Sequence, residues 1–274
     1  MSADPGAAVS PDVIASAERR LLEVRGLVKR FGGVTAVNAL DMTVRAGDVH
    51  ALIGPNGSGK TTTLNVISAL YRSDAGSICF DGDDLVRRPA HEIARRGIAR
   101  TFQNIRLFGE LSVIENVMIG RHVRTRTGFI GALLPGGATA REEHATRLRA
   151  RELLQFVGLE QAAGSPARSL PYGDQRRVEI ARALASEPRL VLLDEPAAGM
   201  NPAETDTLVA LLRRIRAQGT TLLLIEHDMN LVMSVSDRIT VLNFGQHIAE
   251  GPPDEIARNR DVITAYLGGT LDAA

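Results

Sequence analysis

The sequence predicts an α/β fold with a block of helices inserted into it, and three observations carry that reading. Two short apolar runs with charged ends, "RLVLLDEP" and "TTLLLIEHD", have the composition of strands buried on both faces of a parallel sheet. Between them, "PAETDTLVALLRRIRAQG" reads as the crossover helix, with Pro202 at its start and Gly219 at its end. From about residue 110 to 165 the texture is mostly helical, and the strand texture returns only at "RLVLLDEP".

The elements follow in order. The opening "MSADPGAAVSPDVIASAERR" is rich in small residues and proline and has no basic start before an apolar stretch. Residues 1–19 therefore read as a flexible tail and not as a secretory signal. Strand patterns begin at Leu21 with "LLEVRGLVKRF" and continue through "DMTVRAGDVHALIG". "GKTTTLNVISALY" is helical, with Leu64, Ile67 and Leu70 at helical spacing. "GSICFDGDDL" alternates and turns at Asp81-Gly82 as a hairpin would, with Cys79 expected as a buried, inert thiol. "AREEHATRLRARELLQFVG" carries mixed charges on one side and Leu148, Leu153 and Val157 on another. The Gly- and Pro-containing loop at 127–140 reads as irregular, either facing a partner or capping the core. "DRITVLNFGQHIAEGPPDEIARN" predicts a hairpin and a short helix. Residues 20–250 then form one domain, with a helical subdomain at about 104–167 and a C-terminal helical extension at 251–274.

Composition narrows the function classes. The chain has 274 residues, enough for one large domain, and 44% are hydrophobic while 4% are aromatic, so aliphatic side chains must build the core. Lys+Arg and Asp+Glu both number 32, which gives no argument for nucleic acid as a partner. The one cysteine excludes an internal disulfide and suits a reducing compartment. No run approaches the ~18 apolar residues needed to span a bilayer. A cytoplasmic chain that meets membranes through a partner is the expectation.

"GPNGSGKTT", starting at Gly54, matches the phosphate-loop pattern G-x-x-x-x-G-K-[ST] in full, with the apolar strand "VHALI" before it and a helix after. Gly54, Gly57 and Gly59 allow backbone that side chains would block, so the N–H groups along Gly54, Pro55, Asn56, Gly57, Ser58 and Gly59 can wrap a phosphate. Proline contributes shape only, since it has no N–H. Lys60 is placed between the β- and γ-phosphates of a nucleotide, Thr61 is placed to ligate Mg²⁺ and Thr62 adds a hydroxyl nearby.

Asp194 and Glu195 end a buried strand beside that loop. Asp194 is expected in the Mg²⁺ shell and Glu195 at the γ-phosphate, where a carboxylate can take a proton from attacking water. His227 ends the neighbouring strand and could donate to the γ-phosphate; His50, His91, His122, His144 and His247 have no comparable setting. Gln103, in "ARTFQN", lies where core gives way to helices, able to touch Mg²⁺ or water with its amide. A second anion cradle opens "SLPYGDQRRVEIARAL", where a tight turn feeds a helix and leaves N–H groups unpaired. Its candidate binding residues are Tyr172, Gly173, Asp174 and Gln175.

In this order the pieces resemble the ATP-binding-cassette (ABC) ATPases over roughly residues 21–250. The resemblance implies a P-loop NTPase with a RecA-like core, an antiparallel β subdomain and an inserted α-helical subdomain. It makes "GPNGSGKT" the Walker A motif, Gln103 the Q-loop glutamine, "LVLLDE" Walker B, "AAGMNP" the D-loop and His227 the switch histidine. Phe31, in "KRFGG", matches the aromatic that stacks on adenine. "LPYGDQ" stands where the family signature LSGGQ is expected, so Pro171, Tyr172 and Asp174 depart from it, as Asn201 departs from the D-loop aspartate. Pro171 removes a hydroxyl and an N–H, leaving Gly173 and the backbone amides after it as phosphate donors.

The family works as a head-to-tail dimer with two ATP molecules between subunits, so the second cradle would hold the γ-phosphate of the partner's nucleotide. "LPYGDQRRVEIARAL", "DEPAAGMNP", "IEHDMNLVM" and "DVITAYLG" look like ATPase subunits of branched-chain amino acid importers. The implied assembly is an ATPase pair, identical or related, at the cytoplasmic face of the membrane, with permease subunits and an extracytoplasmic substrate-binding protein. Two other readings are a soluble ABC ATPase of DNA repair or translation and a weakly hydrolysing regulatory subunit.

Overall fold

The computed structural model describes residues 19–124 and 137–267. The tail at 1–18, most of the 127–140 loop and the last seven residues lie outside them; residues 137–140 open a helix. Two sheets organise the chain. The first is antiparallel, in the order β2-β1-β4-β5, and consists of β1 (Arg20–Phe31), β2 (Val34–Arg45), β4 (Ala75–Phe80) and β5 (Asp83–Asp84). The hairpin at Asp81-Gly82 forms as expected, with φ of 51° and 87°, and pairs Phe80 with Asp83. Cys79 is half-buried, a correction to the buried thiol expected: it stands on a strand face only partly covered.

The second sheet runs β10-β9-β3-β8-β7-β6 and comprises β3 (Val49–Ile53), β6 (Ile98–Arg100), β7 (Leu190–Asp194), β8 (Thr221–Ile225), β9 (Arg238–Asn243) and β10 (Gln246–Gly251). Neighbours from β9 to β6 are parallel, and β10 closes the edge antiparallel to β9. The continuous apolar runs have a clear reason. Leu222 and Leu224 face one core while Leu223 and Ile225 face the other, and Val191 and Leu193 alternate with Leu190 and Leu192 in the same way. Each such side chain gains about 1.5–3 kcal/mol by leaving water.

Helix α1 (Lys60–Ile67) follows β3, and α2 (Ala90–Arg95) precedes β6. Between β6 and β7 lie α3 (Val113–Gly120), α4 (Gly137–Phe156) and α5 (Tyr172–Leu184). Ser112 and Glu115 cap the start of α3 with a capping box. Leu153 and Val157 join the core with Val113, Val117 and Val178, whereas Leu148 is 53% exposed and Leu70, past the end of α1, is 50% exposed. Helical spacing overreached at both: the core face of α4 narrows toward its outer turns, and α1 has ended before residue 70.

The crossover α6 (Pro202–Ala217) is capped by Asn201, whose Oδ1 accepts the Glu204 N–H at 3.0 Å while the Glu204 carboxylate accepts the Asn201 N–H. It ends at Gly219, φ 84°. Then come α7 (Met229–Val235), α8 (Pro253–Ile256) and α9 (Arg260–Leu267).

Candidate nucleotide-binding and hydrolysis site

The carboxyl ends of β3, β7 and β8 carry Gly54, Asp194 and Glu226 to one edge of the sheet, where open α/β sheets collect ligands. The phosphate loop leaves β3 under tight constraint. A Cβ on Gly54, φ 149°, would strike the Leu242 carbonyl, and one on Gly59, φ 99°, the Ala36 carbonyl. Only glycine brings the chain this close to its neighbours. The Ser58 carbonyl accepts the Gly245 N–H at 3.1 Å, fastening the loop to the β9–β10 turn.

Lys60 is buried and folds back on its own loop, donating to the Gly54 and Pro55 carbonyls at 2.8 and 3.0 Å. Burial lowers its pKa, while Glu195 and Asp194 pull the other way. An arriving phosphate supplies the same kind of carbonyl-replacing acceptor with a full charge. Ser58 Oγ, also buried, has no hydrogen-bond partner among the described residues. Thr61 and Thr62 occupy the first turn of α1, where N–H groups lack helical partners.

Asp194 is 2% exposed. Its Oδ2 accepts from Arg100 Nη2 at 2.9 Å, and its Oδ1 has no partner among the described residues. Burial raises the Asp194 pKa, opposed by the Arg100 guanidinium. A buried carboxylate oxygen left open beside a phosphate loop, with the Thr61 hydroxyl on α1, is a hard-oxygen donor set that fits magnesium.

Glu195 sits at φ 47°, a left-handed conformation that costs a non-glycine residue about 1–2 kcal/mol. Its N–H donates to the Ile225 carbonyl at 2.9 Å, and its Oε2 accepts from the Gln103 amide at 2.8 Å. Gln103 and Glu195, 92 positions apart, therefore meet side chain to side chain. His227 lies just past β8, with its side chain 66% exposed and Nδ1 3.8 Å from the Glu226 carboxylate. The fixed point beside it is Glu226, which the sequence reading passed over. One oxygen of Glu226 accepts the Ala197 N–H at 2.7 Å and the other the His227 N–H at 3.0 Å, tying the loop after β7 to the histidine.

The second cradle is held at the start of α5. The Pro171 carbonyl takes the N–H groups of both Asp174 and Gln175, at 3.1 and 3.0 Å. This narrows the expectation that Gly173 and the amides after it serve as phosphate donors: those of Asp174 and Gln175 are occupied, while the N–H groups of Tyr172 and Gly173, at the first two helical positions, have no helical partner. The Gln175 side chain is also spent, donating to the Leu170 carbonyl at 2.9 Å. Asp174 pairs with Arg177, which offsets the negative charge that distinguishes this turn. Arg176, fully buried, donates to the Phe102 and Gln103 carbonyls at 2.7 Å each and to Glu179 at 2.8 Å. The helix that opens on the second cradle thus grips the backbone of Gln103.

Phe31 is 43% exposed and meets Tyr71 edge-on at 5.2 Å between ring centroids, with the Lys29 ammonium 5.2 Å from its ring. Tyr71 was not singled out in the sequence; its place just past α1 became meaningful only once the two sheets came together. Burial raises the pKa of Tyr266 on α9, while the Gly54 N–H pulls it the other way.

A phosphate loop at the end of β3, an acidic pair at the end of β7, two strands across the same sheet, and an amide delivered from a helical insertion define a P-loop ATPase. The ABC transporter family profile matches residues 37–198, and that of the branched-chain amino acid ATP-binding cassette transporter matches 246–272. The high-affinity branched-chain amino acid transport ATP-binding protein BraF of Pseudomonas aeruginosa is 47% identical over 251 residues, 91% of this chain and 98% of its own. Among solved structures, the ADP conformation of an ATP-binding cassette of an ABC transporter superposes with a TM-score of 0.79 at 31% identity, covering 91% of this chain and 99% of that one. A dimeric, post-hydrolysis cassette bound to ADP and Pi gives 0.72 at 26% identity, covering 85% and 99%. The chain belongs to the ATP-binding-cassette transporter family, as one of its ATP-binding subunits.

Proposed function

We propose that the chain is the ATP-hydrolysing subunit of an importer for branched-chain amino acids or closely related solutes. The hydrolytic part rests on one observation: the Gln103 amide and the Glu195 carboxylate are hydrogen-bonded at the strand end that also carries Asp194. In this reading Glu195 takes the proton of the water that attacks the γ-phosphate. Gln103 orients that carboxylate, and His227 donates to the departing phosphoryl oxygens. Lys60 and the N–H groups of Gly54 and residues 56–62 bind the phosphates, and Phe31 with Tyr71 forms the adenine platform. Thr61, Asp194 and Gln103 would hold Mg²⁺, whose chemistry is to neutralise charge on the β- and γ-phosphates. The solute class follows from likeness to BraF and from the matching C-terminal segment.

Two copies complete each site. Helix α1 packs on β2 and β7, whereas α5 packs on α3, α4 and β6, so the two anion cradles of one chain belong to different parts of the fold. The Tyr172–Gly173 turn would meet the nucleotide of the second copy. A groove of about 360 Å³ lies between α2, β6, α3 and α5, lined by Ile93, Phe102, Ile119, Val123 and Arg182. A permease loop seated there would press on the strand leading to Gln103 and be felt at the hydrolytic carboxylate. The helices between β6 and β7 would act as the moving subdomain, at about 104–167, and the assembly would place the chain on the cytoplasmic face of the membrane.

Glu195→Gln tests the assignment. The variant is expected to bind ATP, to accumulate as an ATP-bound dimer in gel filtration and to lose phosphate release, about a hundred-fold or more, consistent with loss of a general base. Undiminished turnover with the permease present would remove Glu195 from this role. Purification without any integral-membrane partner would favour a soluble ABC ATPase.

A further inference from the structure

We propose that Arg100 is the positioning residue of the magnesium side of the site. A single guanidinium clamps the Asp194 carboxylate to helix α1 and so sets the metal-facing oxygen against the Thr61 hydroxyl. The inference rests on the reading of Asp194 and Thr61 as magnesium ligands and adds the residue that holds them in register.

The geometry is that of a three-way fork. Arg100 Nη2 donates to Asp194 Oδ2 at 2.9 Å, and Nη1 donates to Asn65 Oδ1 and Ser68 Oγ, both at 2.8 Å. Asn65 lies on α1 and Ser68 caps it, the same helix whose first turn carries Thr61. The Arg100 side chain is 7% exposed and its carboxylate partner 2%, so neither is screened by water. Phe102 lies beside the guanidinium, with its ring centroid 5.3 Å from Cζ. A planar, permanently charged fork can hold three acceptors at fixed angles, which an ammonium on a flexible stem cannot do.

This clamp decides which carboxylate oxygen is free. With Oδ2 taken by Arg100, the buried oxygen without a partner is Oδ1. The carboxylate cannot turn without breaking its ion pair, and α1 cannot slide along β7 without straining Asn65 and Ser68. Arg100 also ends the strand that leads to Gln103 and lines the groove between α2 and α5. All three proposed metal-side residues thus depend on elements that meet at this one side chain. A residue that holds a metal-binding carboxylate in place tunes metal affinity without touching the ion.

The test uses the full chain and the fluorescent nucleotide N-methylanthraniloyl-ADP, titrated in EDTA and in excess Mg²⁺. The readout is the ratio of the two affinities. Arg100→Met is expected to bind the nucleotide in EDTA as the parent does, within about two-fold, and to lose about ten-fold of the magnesium-dependent gain. Asp194→Asn separates the two claims. If Asp194→Asn keeps the parental gain, the assignment of Asp194 to magnesium fails. If it loses the gain while Arg100→Met keeps it, the role of Arg100 alone is overturned. Should Arg100→Met fail to fold by circular dichroism, Asn65→Ala with Ser68→Ala frees the guanidinium from α1 and leaves its ion pair. A reduced gain in that double variant supports the clamp, and an unchanged gain overturns it.

Discussion

Protonation of His50 gives the most quantitative handle on stability. The ring is fully buried on β3, and its Nε2 lies 2.8 Å from Thr240 Oγ1. The Thr240 hydroxyl donates to the Glu250 carboxylate at 3.1 Å, so it accepts from His50, which puts the ring proton on Nε2. Nδ1 is then bare and has no partner among the described residues. A second proton would create a charge with nothing to receive it, and burial pushes the pKa from 6.5 down to about 4. Glu250 opposes that shift, while Arg238, Arg45 and His247 add to it.

The sign follows from linkage. Between these two values the unfolded chain binds the proton and the folded chain does not, so stability rises with pH across the window. Stability from the neutral ring is fully present above pH 6.5 and is lost progressively as pH falls toward about 4. From roughly pH 7.5 to roughly pH 5 this one group removes about 2 kcal/mol. Urea denaturation followed by far-UV circular dichroism at both pH values measures the loss. In His50→Gln, which cannot titrate and can still reach Thr240, the drop should be smaller by that amount, since the other acid-sensitive groups are common to both chains. An identical drop in parent and variant would refute the assignment of a buried neutral imidazole.

Two further substitutions probe the joints of the site. Gly59→Ala forces a Cβ onto the Ala36 carbonyl at a φ of 99°, and should cost about 2–4 kcal/mol in urea denaturation while weakening ATP binding. A neutral effect would mean the loop can move away from β2. Arg176→Met strands the buried Glu179 carboxylate with Arg182 at 3.6 Å as its remaining ion pair, and should cost about 3–5 kcal/mol. Adding Glu179→Leu should recover most of the loss in the same measurement, and failure to recover would show that the carboxylate was not the source.

The sequence made legible whatever is contiguous. The phosphate loop, the two buried strands and the crossover helix each carry their signal within a few positions: glycines where no Cβ fits, apolar residues on both faces, a capped start and a glycine stop. The contacts that tune the site are of another kind. Arg100 stands three residues before Gln103 in "ARTFQN", yet its partner Asp194 is 94 positions away, and a lone arginine at a strand end reads as solvated until that pairing is seen. Glu226 was hidden beside the more conspicuous His227, and its work is done on the Ala197 backbone, 29 positions back. The amides of Asp174 and Gln175 looked free because a helix start leaves donors open; the carbonyl of Pro171, at the N-cap, takes both as the first turn closes. Leu148 and Leu70 erred in the other direction, since periodicity gives a direction and not the distance to the next layer, and Cys79 because the usual burial of a free thiol says nothing of this strand's half-covered face.

The bracing of the phosphate loop has a consequence for how the protein is made. Gly59 is pressed on Ala36, Gly54 on Leu242, and Ser58 is tethered to Gly245, whose own carbonyl receives the Asn38 N–H at 2.8 Å. The mould for the nucleotide is therefore cast from segments synthesised some two hundred residues apart. A nascent chain that has exposed only the lysine and its glycines lacks half of that mould. Nucleotide capture therefore waits on the β9–β10 turn, which the ribosome makes long after the lysine and its glycines.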